Sequence, residues 1–161
     1  MVQVDSSPNK IYTYIQARFY RAPEIILGIS YTTAIDMWSL GCLLFELYKG
    51  YPLFAGENEN IQLQTIMEIK GTPPWSLLTI SLRRKQFFDN DYKPILEPNS
   101  RGKIIKPSTR TLKEAMKCDD EIFVDFVDRC IEWKVDDRMT PEEASQHEWI
   151  KDGLKEFESK N

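Results

Sequence analysis

Residues 11–28 read I-Y-T-Y-I-Q-A-R-F-Y-R-A-P-E-I-I-L-G, and the proline in this stretch sets its local structure. Pro23 suits a first helical turn, because its ring fixes φ near the helical value and its missing N–H is not needed there. Gly28 is placed to end that short helix. Working outward, Thr33 is positioned to cap a second helix over residues 34–49. Its apolar residues, Ile35, Trp38, Leu40, Leu43, Leu44, Phe45, Leu47 and Tyr48, cover nearly the whole circumference, so this helix is expected in the core. Gly50 and Pro52 stop it.

Further along, residues 57–70 carry Ile61, Leu63, Ile66, Met67 and Ile69 behind an acidic first turn, the pattern of an amphipathic helix whose dipole is favourably placed. Gly71-Thr72-Pro73-Pro74 terminates it. Asp119-Asp120-Glu121 leads another helical stripe through Ile122, Phe123, Phe126, Val127, Cys130 and Ile131. Thr140-Pro141-Glu142-Glu143 offers a cap, a first-turn proline and a capping-box glutamate for a last short helix. Residues 72–110, rich in Pro, Ser and charge, read as a long irregular insertion. Residues 1–10 read as a disordered lead and 151–161 as a tail. No internal repeat and no β-hairpin is visible. Pattern alone therefore predicts a mainly α domain of about five helices around one buried helix.

The 161 residues carry 21 Lys/Arg against 25 Asp/Glu, a net charge of −4, which argues against nucleic acid or an anionic membrane as the main partner. No apolar run approaches the roughly 18 residues needed to span a bilayer. Three scattered cysteines and one histidine give no metal-ligand spacing, so no metal site is expected. They fit a reduced compartment, cytoplasmic or nuclear.

The triplet Ala22-Pro23-Glu24 resembles the A-P-E that closes the activation segment of protein kinases. The F-Y-R before it and the I-I-L-G after it resemble the dual-specificity tyrosine-regulated (DYRK) family of the CMGC group. The match runs over residues 11–150, with several motifs in the family's order. It implies the helical C-terminal lobe of a protein-kinase-like fold with the N-terminal β lobe absent, and a CMGC insert at about 72–110 that is a docking surface in the family. Tyr12-Thr13-Tyr14 resembles the family's Y-x-Y, making Tyr14 the implied autophosphorylation site. Arg18 and Arg21, four and seven residues on, are the implied phosphate receivers, since guanidinium forks match phosphate oxygens. The same resemblance assigns the loop around them to reading a proline after the target residue.

Glu24 resembles the glutamate that pairs with an arginine near the end of the lobe, here Arg138. Asp36, Trp38 and Gly41 stand in D-M-W-S-L-G-C, which resembles the D-x-W-S-x-G-C of the central helix. In the family that aspartate accepts hydrogen bonds from the catalytic loop, and a buried carboxylate without such partners is expensive. Glu57 and Glu59 lie near where related kinases meet substrate arginines. His147, in Q-H-E-W, resembles a structural histidine.

The resemblance implies ATP and Mg²⁺ as cofactors of a complete kinase, phosphorylating Ser or Thr of proteins. The chain itself contains no G-x-G-x-x-G, no V-A-I-K, no H-R-D and no D-F-G, the parts that hold nucleotide and metal and place a base. It is therefore expected to lack catalytic residues and cofactors of its own and to be inactive alone. It is either a fragment of a kinase or a truncated product acting as a non-catalytic module that binds protein substrates or regulators.

Overall fold

The computed structural model describes residues 15–159; the expected lead and Tyr14 lie outside them. A 3₁₀ turn at Arg18–Tyr20 precedes α1 (Pro23–Leu27), α2 (Ala34–Lys49), α3 (Glu59–Lys70), α4 (Trp75–Ile80), α5 (Arg84–Phe87), α6 (Leu112–Met116), α7 (Glu121–Cys130), α8 (Pro141–Gln146) and α9 (Glu148–Ser159). Among the described residues the β pairing consists of two isolated bridges, Phe88 with Pro94 and Pro98 with Ile104. The fold is mainly α, with more helices than the residue pattern predicts.

Pro23 opens α1 and Gly28, at φ 67°, closes it. Thr33 does not cap α2. Its own backbone is already helical (φ −60°, ψ −12°) and its side chain makes no cap bond; an N-cap needs extended backbone to aim its oxygen back at the first turn. Thr32 takes part of that role, its hydroxyl accepting from the Ala34 N–H at 3.3 Å. α3 likewise starts two residues later than expected, because Asn58 is extended (φ −141°) and accepts from the Ile61 N–H. Thr140 caps α8 as its sequence suggests, in a full capping box with Glu143, and Asp120, from the acidic lead, caps α7 by accepting from the Phe123 N–H. Thr111 and Glu114 form a second capping box on α6, and α9 runs through residues expected to form a tail.

Packing centres on α2 and α7. Gly41 allows the close approach: a Cβ there would stand 2.7 Å from Cys130 Cβ and 2.9 Å from Ile131 Cγ2. Trp38 stacks on Phe54 with ring centroids 5.7 Å apart, and Phe123 and Phe126 meet Trp149 at 4.8 and 4.9 Å. Contrary to the expectation from its composition, α2 is not buried all round. Trp38, Gly41, Cys42 and Phe45 form the buried stripe, whereas Leu43 and Tyr48 are exposed and Leu47 is 73% exposed. Apolar character all round a helix marks surface that water disfavours; among the described residues, neighbours cover most of this helix and leave Leu43 and Leu47 exposed.

The insert is more regular than its composition suggests. Besides α4 and α5 it contains two turns of one design. In the first, Asp89 N donates to Lys93 O at 2.9 Å while the Asp89 carboxylate accepts from the Asp91 and Lys93 N–H groups, both at 2.9 Å. In the second, Asn99 N donates to Lys103 O at 3.0 Å and the Asn99 carbonyl oxygen accepts from Arg101 and Lys103 at 3.0 and 2.9 Å. Tyr92 (φ 60°) and Gly102 (φ 74°) occupy the equivalent left-handed position.

Candidate functional site

The segment leading into α1 is fixed by one side chain that the sequence does not single out. Gln16 adopts a left-handed backbone (φ 62°). Its amide donates to Ile35 O at 3.0 Å and Ser39 Oγ at 2.8 Å, and its carbonyl accepts from Ala22 N at 2.9 Å. Ser39 donates in turn to Tyr20 O at 2.9 Å. A glutamine in an irregular stretch carries no signal for this role; α2 supplies the partners.

Arg21 is only 3% exposed. Its Nε donates to Ile15 O and its Nη2 to Gln16 O, both at 3.1 Å, while Nη1 meets Glu59 Oε1 at 3.1 Å. Arg18 is exposed and donates to Glu57 O at 2.6 Å. The two arginines expected near a phosphate thus reach the N-terminal end of α3 by different means, one through a buried fork and one at the surface.

Glu59 lies between two cations. Arg83, from the insert, donates Nη2 to Glu59 Oε2 at 2.6 Å and Nη1 to Oε1 at 3.2 Å. Arg83's hydrogen bond, with Arg21 beside it, holds the Glu59 carboxyl below the usual carboxylate range. The exposed Glu57 carboxylate accepts from the Ser100 N–H at 3.0 Å and from its hydroxyl. Both acids expected near substrate arginines therefore already have partners within the chain.

Glu24 and Arg138 form a buried fork, with Nη1 to Oε1 at 2.7 Å, Nη2 to Oε2 at 2.9 Å, and side chains 4% and 0% exposed. Arg138 also donates to Ala34 O and Glu132 O, and its guanidinium lies 5.4 Å from the Trp38 ring centroid. Asp36 is exposed, on the wall of an open cavity of about 620 Å³ that Met37, Val135 and Met139 also line. The desolvation expected for a carboxylate on an apolar helix does not arise, because α2 turns that edge to water. Gly56 is a further position without a sequence signal: a Cβ there would lie 2.2 Å from Gln62 N.

His147 is buried against the Phe126 ring edge, with Nδ1 accepting from Trp149 N at 3.2 Å and Nε2 at 2.9 Å from Asp125 Oδ2. That set fits an imidazole holding the start of α9. Among the described residues no cluster of His, Cys, Asp or Glu is arranged to hold a metal, and no helix is long and apolar enough to cross a membrane.

Comparison with known proteins identifies the family. The protein kinase domain model matches residues 2–150. The chain belongs to the protein kinase family. Within that family it is of DYRK type. It is 53% identical over 142 residues to dual specificity tyrosine-phosphorylation-regulated kinase 2 of Drosophila melanogaster, covering 88% of this chain and 20% of the relative. It is 52% identical over 142 residues to dual specificity tyrosine-phosphorylation-regulated kinase 4 of Homo sapiens, covering 88% and 27%. The DYRK-family kinase pom1 of Schizosaccharomyces pombe is 49% identical over 140 residues, covering 87% and 13%. The chain thus spans between 13% and 27% of the length of these relatives. Its helices are those of a kinase C-terminal lobe.

Proposed function

We propose that this chain forms the helical lobe of a DYRK-type kinase that transfers the ATP γ-phosphoryl group to Ser or Thr of protein substrates and to its own Tyr14. The observation that carries this reading is the placement of Arg18 and Arg21 together at the N-terminal end of α3, on a backbone tied to Gln16. A phosphate on Tyr14 brings about −1.5 to −2 charges. Arg18, exposed and held by carbonyl oxygens, turns to it with least loss. Arg21 adds its buried charge while remaining tied to Ile15 O and Gln16 O. Of the two acids assigned to substrate contact, Glu57 is the more available, since releasing Glu59 breaks contacts to two arginines.

ATP and Mg²⁺ belong to the complete kinase, where they supply the phosphoryl group and neutralise its charge. The described residues offer no metal cluster, so their part is to position the substrate side and the phosphotyrosine. Alone, the chain is inactive, because its 161 residues contain no glycine-rich loop, H-R-D or D-F-G. It then acts as a protein-binding module.

The test is incubation of the purified chain with γ-labelled ATP, Mg²⁺ and a protein substrate, beside the complete kinase. We expect label in substrate and on Tyr14 only with the complete kinase. Phosphotransfer by the chain alone overturns the assignment of inactivity, and a complete kinase left unmodified at Tyr14 overturns the role of Arg18 and Arg21.

A further inference from the structure

Residues 148–159 read E-W-I-K-D-G-L-K-E-F-E-S and form α9, most of which lies beyond residue 150, where the match to the protein kinase domain ends. Glu148, Asp152 and Glu156 recur every four residues, so they share one face of the helix. Trp149 and Gly153 form the neighbouring line, and Lys151 and Lys155 lie outside both. Trp149 anchors the helix, its ring meeting Phe123 and Phe126 of α7 at 4.8 and 4.9 Å.

Between this face and the start of α7 runs an open groove of about 310 Å³, lined by Asp120, Ile122, Trp149, Asp152, Gly153 and Glu156. Three of these residues are acids and none is a cation. The floor is apolar, with Ile122 36% exposed, and the space beside Gly153 is open, since a Cβ there would meet no atom within 4 Å. The surroundings carry the same sign: residues 117–122 and 148–161 hold seven Asp/Glu and four Lys, a net −3. The rim carboxylates are lightly held. Asp120 accepts from the Phe123 N–H at 3.0 Å with one oxygen. Asp152 meets Lys155 at 2.8 Å with side chains 52% and 74% exposed, a kind of pair that contributes little.

We infer that this groove docks an arginine-bearing protein segment, with an arginine stem lying on Ile122 and Trp149 and its guanidinium among the carboxylates of Asp120, Asp152 and Glu156. Arginine joins an aliphatic stem to a cationic head, which matches an apolar floor under an acidic rim, and its planar fork meets carboxylates bidentately where an ammonium does not. Nucleic acids and anionic membranes are repelled by the same rim. This partner chemistry rests on the binding-module reading and deepens it; the assay contains no nucleotide, so its failure leaves phosphoryl transfer untouched.

The experiment is fluorescence anisotropy of the 161-residue chain with a labelled synthetic peptide of four arginines and two leucines spaced by glycine and serine; the control peptide carries Glu for each Arg. We expect the arginine peptide to bind, the control not to bind, and the affinity to fall as added salt shortens the Debye length. Gly153→Leu fills the groove without changing charge. Glycine is a poor helix residue, so the thermal midpoint should not drop, while affinity falls about tenfold because the arginine stem loses its floor. D152K/E156K reverses two rim charges, leaves the Asp120 cap intact and should also weaken binding about tenfold. D91K/E142K makes the same change of charge at exposed positions away from the groove and keeps the affinity. Should circular dichroism show lost helix in D152K/E156K, D152N/E156Q replaces it, with about a threefold loss expected. An affinity indifferent to Gly153→Leu and to the rim variants, or lost equally in D91K/E142K, overturns the inference. So does a concentration-dependent dimer of the chain alone that Gly153→Leu disperses, because the groove is then occupied by a second copy.

Discussion

Replacing Arg138 by alanine removes five donor contacts at once: two to the Glu24 carboxylate at 2.7 and 2.9 Å, one to Ala34 O at 2.9 Å, and two to Glu132 O at 3.1 and 3.0 Å. What remains is a carboxylate 4% exposed, with no other ion pair among the described residues. Breaking a buried pair by deleting one partner costs about 3–5 kcal/mol, a large share of the roughly 5–15 kcal/mol that stabilises a domain. The measurement is urea unfolding at neutral pH followed by circular dichroism. Arg138→Lys keeps the charge but loses the bidentate fork, so a loss of about 1.5–3 kcal/mol is expected. The paired change Glu24→Leu with Arg138→Met removes both charges together and should recover much of the single-variant loss. An R138A loss below about 1 kcal/mol, the range of exposed pairs, refutes the burial argument. A paired variant no better than R138A refutes the claim that the stranded charge causes the loss.

Other outcomes rest on the same packing. Gly41→Ala puts a methyl 2.7 Å from Cys130 Cβ and should lower stability by about 1–3 kcal/mol in the same assay; unchanged stability means α2 and α7 are not held at that approach. Because the folded Glu59 carboxyl sits below its ordinary value of 4.5, its pairing stabilises the fold above that pH and is lost as pH falls through the lowered value. The stability difference between the wild type and Glu59→Gln should accordingly shrink on acidification below pH 4.5, and a difference constant with pH contradicts the pairing. Burial pushes the Cys42 thiol up, and that of Cys130 up to about 12, so both should resist a thiol reagent at neutral pH until the chain unfolds. Rapid labelling of the native chain contradicts their burial.

Local rules make some of this structure readable from sequence. Pro23 with Gly28 and the Thr140–Glu143 capping box are complete within a few residues, so their physics needs no distant partner. Thr111 and Glu114 carry the same capping signature, but the insert around them lacks the apolar periodicity that marks a helix. Thr32 and Thr33 are indistinguishable as letters; the backbone angle at Thr33, set by the chain entering α2, decides between them. The exposed side of α2 shows the converse limit, since hydrophobicity records a need for cover and not which neighbour is present. The twin turns are hidden in sequence because D-N-D-Y-K and N-S-R-G-K share little beyond a short acceptor at the start and a lysine at the end.

The candidate site divides in the same way. Glu24 and Arg138, 114 positions apart, are paired in sequence only through resemblance to a known motif, because nothing local links them. Arg21, Glu59 and Arg83 stand in three separate segments, with the sequence signals of a phosphate receiver, a substrate contact and part of an insert. Folding brings them onto one carboxylate, and this changes what each can do: Glu59 is committed before any substrate arrives, and Arg21 is anchored before any phosphate does. Gln16 and Gly56 act through close tertiary contacts that no sequence period encodes.

The most direct test of the account is a ³¹P NMR titration of the chain prepared by ligation with phosphotyrosine at position 14. If Arg18 and Arg21 receive the phosphate, its second ionisation falls below the value near 6 of a free phosphopeptide, and Arg18→Gln moves it back toward that value. A phosphate that titrates like the free peptide in both proteins contradicts the assignment of this segment.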